Sequence, residues 1–218
     1  MKKPAFTMLE LIFVIVVLGI LAALAIPRLD RDLKQEAADN ILSAIRYTQH
    51  LALVDDRHKF DDAKWQQRFW HIYFGTCDGK TYYAIGSDDS MDTSTNARVD
   101  FTESIIDPSN GKHIWGHDGS SCNGSHNINE ISPNIFIGKK YGIKSYQLSG
   151  DCTHSYIGFD HFGRPYGSGF PNSSTPNNSG AITQNSCIMT FTLSDDDTFS
   201  ITVEPETGYA YISNQAGS

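Results

Sequence analysis

After a short polar start, MKKPA, the chain runs from residue 6 to residue 26 with one charged side chain, Glu10. An apolar stretch of this length makes a helix of roughly 32 Å, enough to cross the hydrocarbon core of a bilayer. The pattern then changes without a break. Leu33, Ala37, Ile41, Ala44, Ile45, Thr48, Leu51 and Ala52 recur at three- and four-residue spacing, with polar and charged residues between them, as in an amphipathic helix. One helix is therefore expected over 6–54, roughly 73 Å long. Its first half is apolar all round, and its one-sided second half should lie against a sheet. Gly19 and Pro27 are its weak points, through lost backbone restraint and a missing N–H respectively.

Beyond Asp55 the pattern shortens to β-like runs separated by Gly, Asn, Ser and Asp. Residues 68–74 and 81–85 are rich in aromatic and β-branched side chains, and the GTCDGK segment that separates them is a loop signal. Further strands are expected at 135–137, 155–160, 188–193, 199–203 and 209–212. The last three form a meander, turning at 194–197 and 204–208. Two polar loops stand out, 107–129 and 167–186, the second with a PNSSTPNNSG core. The fold class expected is α+β, a long N-terminal helix packed on a C-terminal antiparallel β-sheet domain.

The length of 218 residues suits one membrane helix and one exported domain large enough to bury a core. Beyond Pro27 there are 15 basic and 24 acidic residues, so this part carries a charge near −9. Such a field opposes non-specific binding to nucleic acid or anionic lipid. Cys77, Cys122, Cys152 and Cys187 all lie in the same part, and an even count on the oxidising side of a membrane favours disulfides. Three connectivities are possible. The sequential one, Cys77 with Cys122 and Cys152 with Cys187, would clip a long polar loop with each bond.

Candidate chemistry is sparse. His113, His117, Cys122 and His126 mix two zinc-ligand types, but they sit in a Gly- and Ser-rich segment with no helix to fix their spacing. Asp195, Asp196 and Asp197 offer hard oxygens for Ca²⁺, although consecutive acidic residues between strands more often make a solvated turn. No GxSxG, HExxH or P-loop spacing occurs, so the expectation is a protein without enzymatic activity. Trp65, Phe69, Trp70, Tyr73 and Phe74 beside Lys64 and Arg68 suggest stacking on single-stranded nucleic acid. A core strand beginning under the helix explains them more simply. A basic stripe at Lys139, Lys140 and Lys144 is the remaining local exception to the acidic field.

Glu10 is the most informative residue. A carboxylate inside a membrane span is costly, so it marks a functional site and needs a named partner. No Lys, Arg or His lies between residues 6 and 26. A backbone amine at Phe6, exposed by a cut after Ala5, would sit at similar depth, on the same chain or on a neighbouring copy. A secretory signal fits poorly, because this apolar run is too long and lacks a small-x-small site after it. A plain signal anchor gives no reason for the Glu.

The segment Lys2-Lys3-Pro4-Ala5, then Phe6-Thr7-Met8-Leu9-Glu10, then an apolar helix with Gly19 and Pro27, resembles the class III signal of type IV pilins and type II secretion pseudopilins. Ala5 departs from the Gly usual in that family. The resemblance implies cleavage between Ala5 and Phe6 by a prepilin peptidase that also N-methylates Phe6, and packing of the helix with other pilin or pseudopilin subunits on an inner-membrane assembly platform. It implies a leader at 1–5, a membrane and filament-core helix at 6–27, its amphipathic continuation at 28–54 and a periplasmic β-rich domain at 55–218. It also implies that the segment from Gly19 to Pro27 extends on assembly, and it calls for no cofactor.

Residues 41–53, 157–165, and 199–203 leading to Gly208-Tyr209 are similar, more loosely, to the minor pseudopilins of the GspH and FimT group. The function expected is a structural subunit of a type II secretion pseudopilus. A minor pilin of a type IV pilus or of a DNA-uptake pseudopilus is the alternative, and a bitopic periplasmic binding protein is a second.

Overall fold

The computed structural model describes residues 8–59, 61–91, 98–170 and 182–213, with the backbone alone for 22–32. Helix α1 spans Met8–Val54 and carries Glu10 in its first turn. The helical backbone continues through Gly19 and Pro27, and Gly19 has open space around it. Beyond the helix the chain forms β1 (Trp70–Cys77), β2 (Lys80–Gly86), a short α2 (Ile137–Tyr141), β3 (Ile143–Gly150), β4 (Tyr156–Phe159), β5 (Pro165–Tyr166), β6 (Cys187–Leu193), β7 (Thr198–Val203) and β8 (Ala210–Ser213).

The expected sheet domain is two antiparallel sheets, ordered β2-β1-β4-β5 and β3-β6-β7-β8. The one-sided half of α1 joins them. Ala37, Ala38, Ile41, Leu42, Ala44, Ile45 and Ala52 are buried, where the helix meets β1, β2 and β4 of one sheet and β7 and β8 of the other. Thr48, also buried, returns its hydroxyl to the Ala44 carbonyl at 2.8 Å, so no donor is left unsatisfied on that stripe. Strand β1 is buried on both faces except at Thr76, whereas β6 alternates between buried and half-buried positions. The former is covered by the helix and by loops of the 98–131 segment; the latter has one wetter face.

The β1–β2 hairpin closes on Asp78 and Gly79, both with left-handed backbone at φ 47° and 67°. This two-residue turn suits the strand twist, so the strands consume most of the GTCDGK loop. Residues 135–137 are not a strand. Ser132 caps a 3-10 turn at Pro133–Ile135, α2 follows, and Gly142 ends it at φ 74°. A three-residue apolar run does not choose between the two conformations, and here Pro and Gly punctuate a helix. Strands β3 and β5 escaped the sequence reading. The former exposes Lys144, Ser145 and Gln147 and buries only Ile143 fully, and the latter has two residues. The PNSSTPNNSG segment lies outside the described residues.

Candidate functional site

The same helix that forms the core of the domain at one end is uncovered at the other. Every described side chain over residues 8–21 is exposed, including Leu9 at 78% and Phe13 at 70%. Apart from Glu10 and Gly19 these are Leu, Ile, Val, Phe and Met in a sleeve around the helix, and such a surface calls for an apolar environment or partner. Glu10 stands within it. Among the described residues no helix is long and apolar enough to cross a membrane. The sleeve's described side chains stop at Leu21, and Ala5 and Phe6 lie outside the described residues.

The domain end is tied down by cross-links and by hydrogen-bonded carboxylates. Disulfides join Cys77 to Cys122 and Cys152 to Cys187, which is the sequential pairing. The first fixes the 107–129 loop against the end of β1. The second ties the approach to β4 in one sheet to the start of β6 in the other.

Beside the first bond, Asp118 accepts hydrogen bonds from the Tyr73 hydroxyl at 2.7 Å, the Tyr82 hydroxyl at 2.9 Å and the Thr76 N–H at 3.0 Å. It also pairs with Arg98. Burial raises the Tyr73 hydroxyl to about 12, with the Asp118 hydrogen bond adding to the effect. Asp107 is a second such node. Burial pushes its carboxyl up, but hydrogen bonds from Ser109, Ser132 and Asn134 outweigh this and hold it below the usual range.

Asp160, 1% exposed, organises the turn within 157–165. It accepts the Phe162 and Arg164 N–H groups at 3.0 and 2.9 Å and the Arg164 guanidinium at 2.7 Å. Burial pushes Tyr166, whose hydroxyl also reaches Asp160, up to about 12. Gln49 of α1 donates to the carbonyls of Gly163 and Thr207, both at 2.9 Å, and so latches the helix to a turn of each sheet. The turns meet at Gly163 and Gly208, with φ of 79° and 64°. A Cβ on Gly208 would fall 2.3 Å from the Gly163 carbonyl oxygen, so only glycine allows this approach. The sequence reading missed Asp118 and Asp160 as anchors. The Asp160 to Arg164 spacing was the available signal for one of them, while Asp118 gathers partners far along the chain.

The metal candidates are spent otherwise. Cys122 is in a disulfide, and His113 and His126 flank the Phe101 ring, with centroids at 4.0 and 4.1 Å. Asp197 pairs with Lys34 at 2.8 Å and Asp196 with Lys144. Among the described residues no group of three or more His, Cys, Asp or Glu could hold a metal ion. Trp65, Phe69, Trp70, Tyr73 and Phe74 are all buried and offer no stacking platform. Lys140 pairs with Glu36 at 3.4 Å, which together with the Lys144 pair leaves little of the basic stripe. No protein-family model matches the chain, and no curated protein or solved structure matches it significantly.

Proposed function

We propose that the chain is a structural subunit of a type II secretion pseudopilus, a minor pseudopilin assembled after its leader is removed at Ala5 and Phe6 is N-methylated. One observation carries the reading: a single helix is an apolar, uncovered sleeve at one end and the packed core of a disulfide-bonded domain at the other. A helix of this kind has one end built for the exported domain and one for a lipid or helix-bundle environment. In such a bundle Glu10 of one subunit pairs with the Phe6 amine of a neighbour, and that charge pair sets register where a mismatch is costly. The acidic domain, at −8 for the whole chain, favours protein export over direct contact with DNA. Mass spectrometry of the membrane-extracted chain tests the reading. A mature N-terminus at N-methyl-Phe6 is expected, and an intact Met1 would overturn it.

A further inference from the structure

We infer that the pocket between α1, β2 and the 107–114 loop binds a primary alkylammonium group. This goes beyond the filament reading and stands independently of it. The pocket follows from the helical period. Asn40, Ser43, Ala44 and Tyr47 of α1 form one wall, since residues at i, i+3, i+4 and i+7 share a helix face. Tyr83 of β2 and Asp107 of the loop are part of the remaining lining. The space between them has a volume of about 340 Å³, inside the range of roughly 300–1,000 Å³ of small-molecule sites.

Charge selects the ligand. Among the described lining residues only Asp107 is ionisable to a full charge at neutral pH. It is 7% exposed, and no ion pair among the described residues includes it. Ser109, Asn110, Ser132 and Asn134 donate to its two oxygens at 2.6 to 3.2 Å. These neutral donors satisfy the lone pairs without cancelling the charge. Burial pushes the carboxyl up, but the hydrogen bonds outweigh it and keep the group ionised. A buried charge is ordinarily paired, and this one has no counter-ion. Its field reaches two other elements of the lining: burial raises the Tyr47 and Tyr83 hydroxyls, and the Asp107 charge raises both further. In the helix wall, the buried Asn40 Oδ1 is a second electronegative atom, with no hydrogen-bond partner among the described residues.

Geometry narrows the cation. A divalent metal finds a single carboxylate here, and no group of three or more His, Cys, Asp or Glu among the described residues could hold one. A guanidinium seeks a free carboxylate edge for two parallel bonds, whereas each Asp107 oxygen already accepts at least two donors. An ammonium is a compact charge with three donors. It needs only the field and acceptors such as the Ser43 and Tyr47 hydroxyls. Ala44, Ile85 and Ile114 supply apolar surface in the same lining, which suits the attached alkyl chain.

The test is saturation-transfer NMR on the detergent-solubilised full chain with n-butylammonium and Nα-acetyl-lysine methylamide, and with n-butanol, n-butylguanidinium and potassium chloride as competitors. Butylammonium is expected to bind roughly tenfold more tightly than n-butanol, as a charge-assisted contact predicts, and to resist displacement by butylguanidinium or potassium. Asp107→Asn should weaken its binding roughly tenfold. Ser43 is exposed, so Ser43→Leu fills the helix side of the pocket without touching the loop and should abolish binding. Transfer to both amines supports the proposal and marks a lysine side chain as an accepted source; transfer to butylammonium alone supports it with a free amine as the source. No transfer to either amine, equal binding of n-butanol, displacement by potassium or butylguanidinium at matched concentration, or binding unchanged in either variant overturns the proposal.

Discussion

Single carboxylates fix the positions of several loops and side chains of the β-rich domain. Asp118 collects two tyrosine hydroxyls, a backbone N–H and Arg98, and the removal of its charge leaves those groups facing a weaker acceptor. Asp118→Asn is therefore expected to destabilise the domain by about 1–3 kcal/mol. It should also lower the pKa of Tyr73, which a spectrophotometric tyrosine titration reads directly. The wild-type chain makes a related prediction at high pH. Tyr73 and Tyr166 titrate near 12 in the folded chain against an ordinary 10.0, so folding favours their neutral forms. The stability they contribute is complete below pH 10 and is lost as pH rises toward about 12. Urea midpoints measured across that interval should fall steadily, and a flat profile would show that neither hydroxyl is held. The Asp118 node was not legible beforehand, because its hydrogen-bond partners lie 36 to 45 residues away, whereas those of Asp160 lie within six residues and left the Arg164 spacing as a signal.

Helix α1 carries the largest share of the packing. Ile45 is completely buried between the sheets, so Ile45→Ala should cost about 2–5 kcal/mol. Leu53, 52% exposed on the same helix, should tolerate Ala within about 0.5 kcal/mol, and chemical denaturation of the two variants separates the faces. The Cys152–Cys187 bond joins segments 35 residues apart and crosses from one sheet to the other. Replacement of both by Ser is expected to cost about 2–4 kcal/mol, read as a lowered denaturation midpoint beside an unreduced control. The helix and the β6–β7–β8 meander were legible because their periods are local and sustained. Strands β3 and β5 were not, since one is largely solvated and the other is two residues long. Residues 135–137 went to a helical turn because Ser132, Pro133 and Gly142 punctuate them.

At the scale of the molecule, an apolar sleeve and an acidic, cross-linked domain share one helix. In the filament reading Glu10 sets how copies of that sleeve dock, so Glu10→Ala should leave cleavage after Ala5 intact and sharply reduce co-purification with the assembled filament. Normal incorporation of the variant would sink the Glu10 pairing. The sequence by itself determined the continuous helix, the apolar run with its carboxylate, the even set of cysteines beyond the helix and the α+β order, because each is a matter of local spacing or composition. Only the tertiary structure decided that the sheet is two sheets on one helical seam, that Asp118 gathers Tyr73, Tyr82, Thr76 and Arg98, and that β1 exchanges β4 for the 116–119 loop along one edge. Those features depend on groups far apart in the chain, and folding brings them within hydrogen-bond distance without leaving a local period to read.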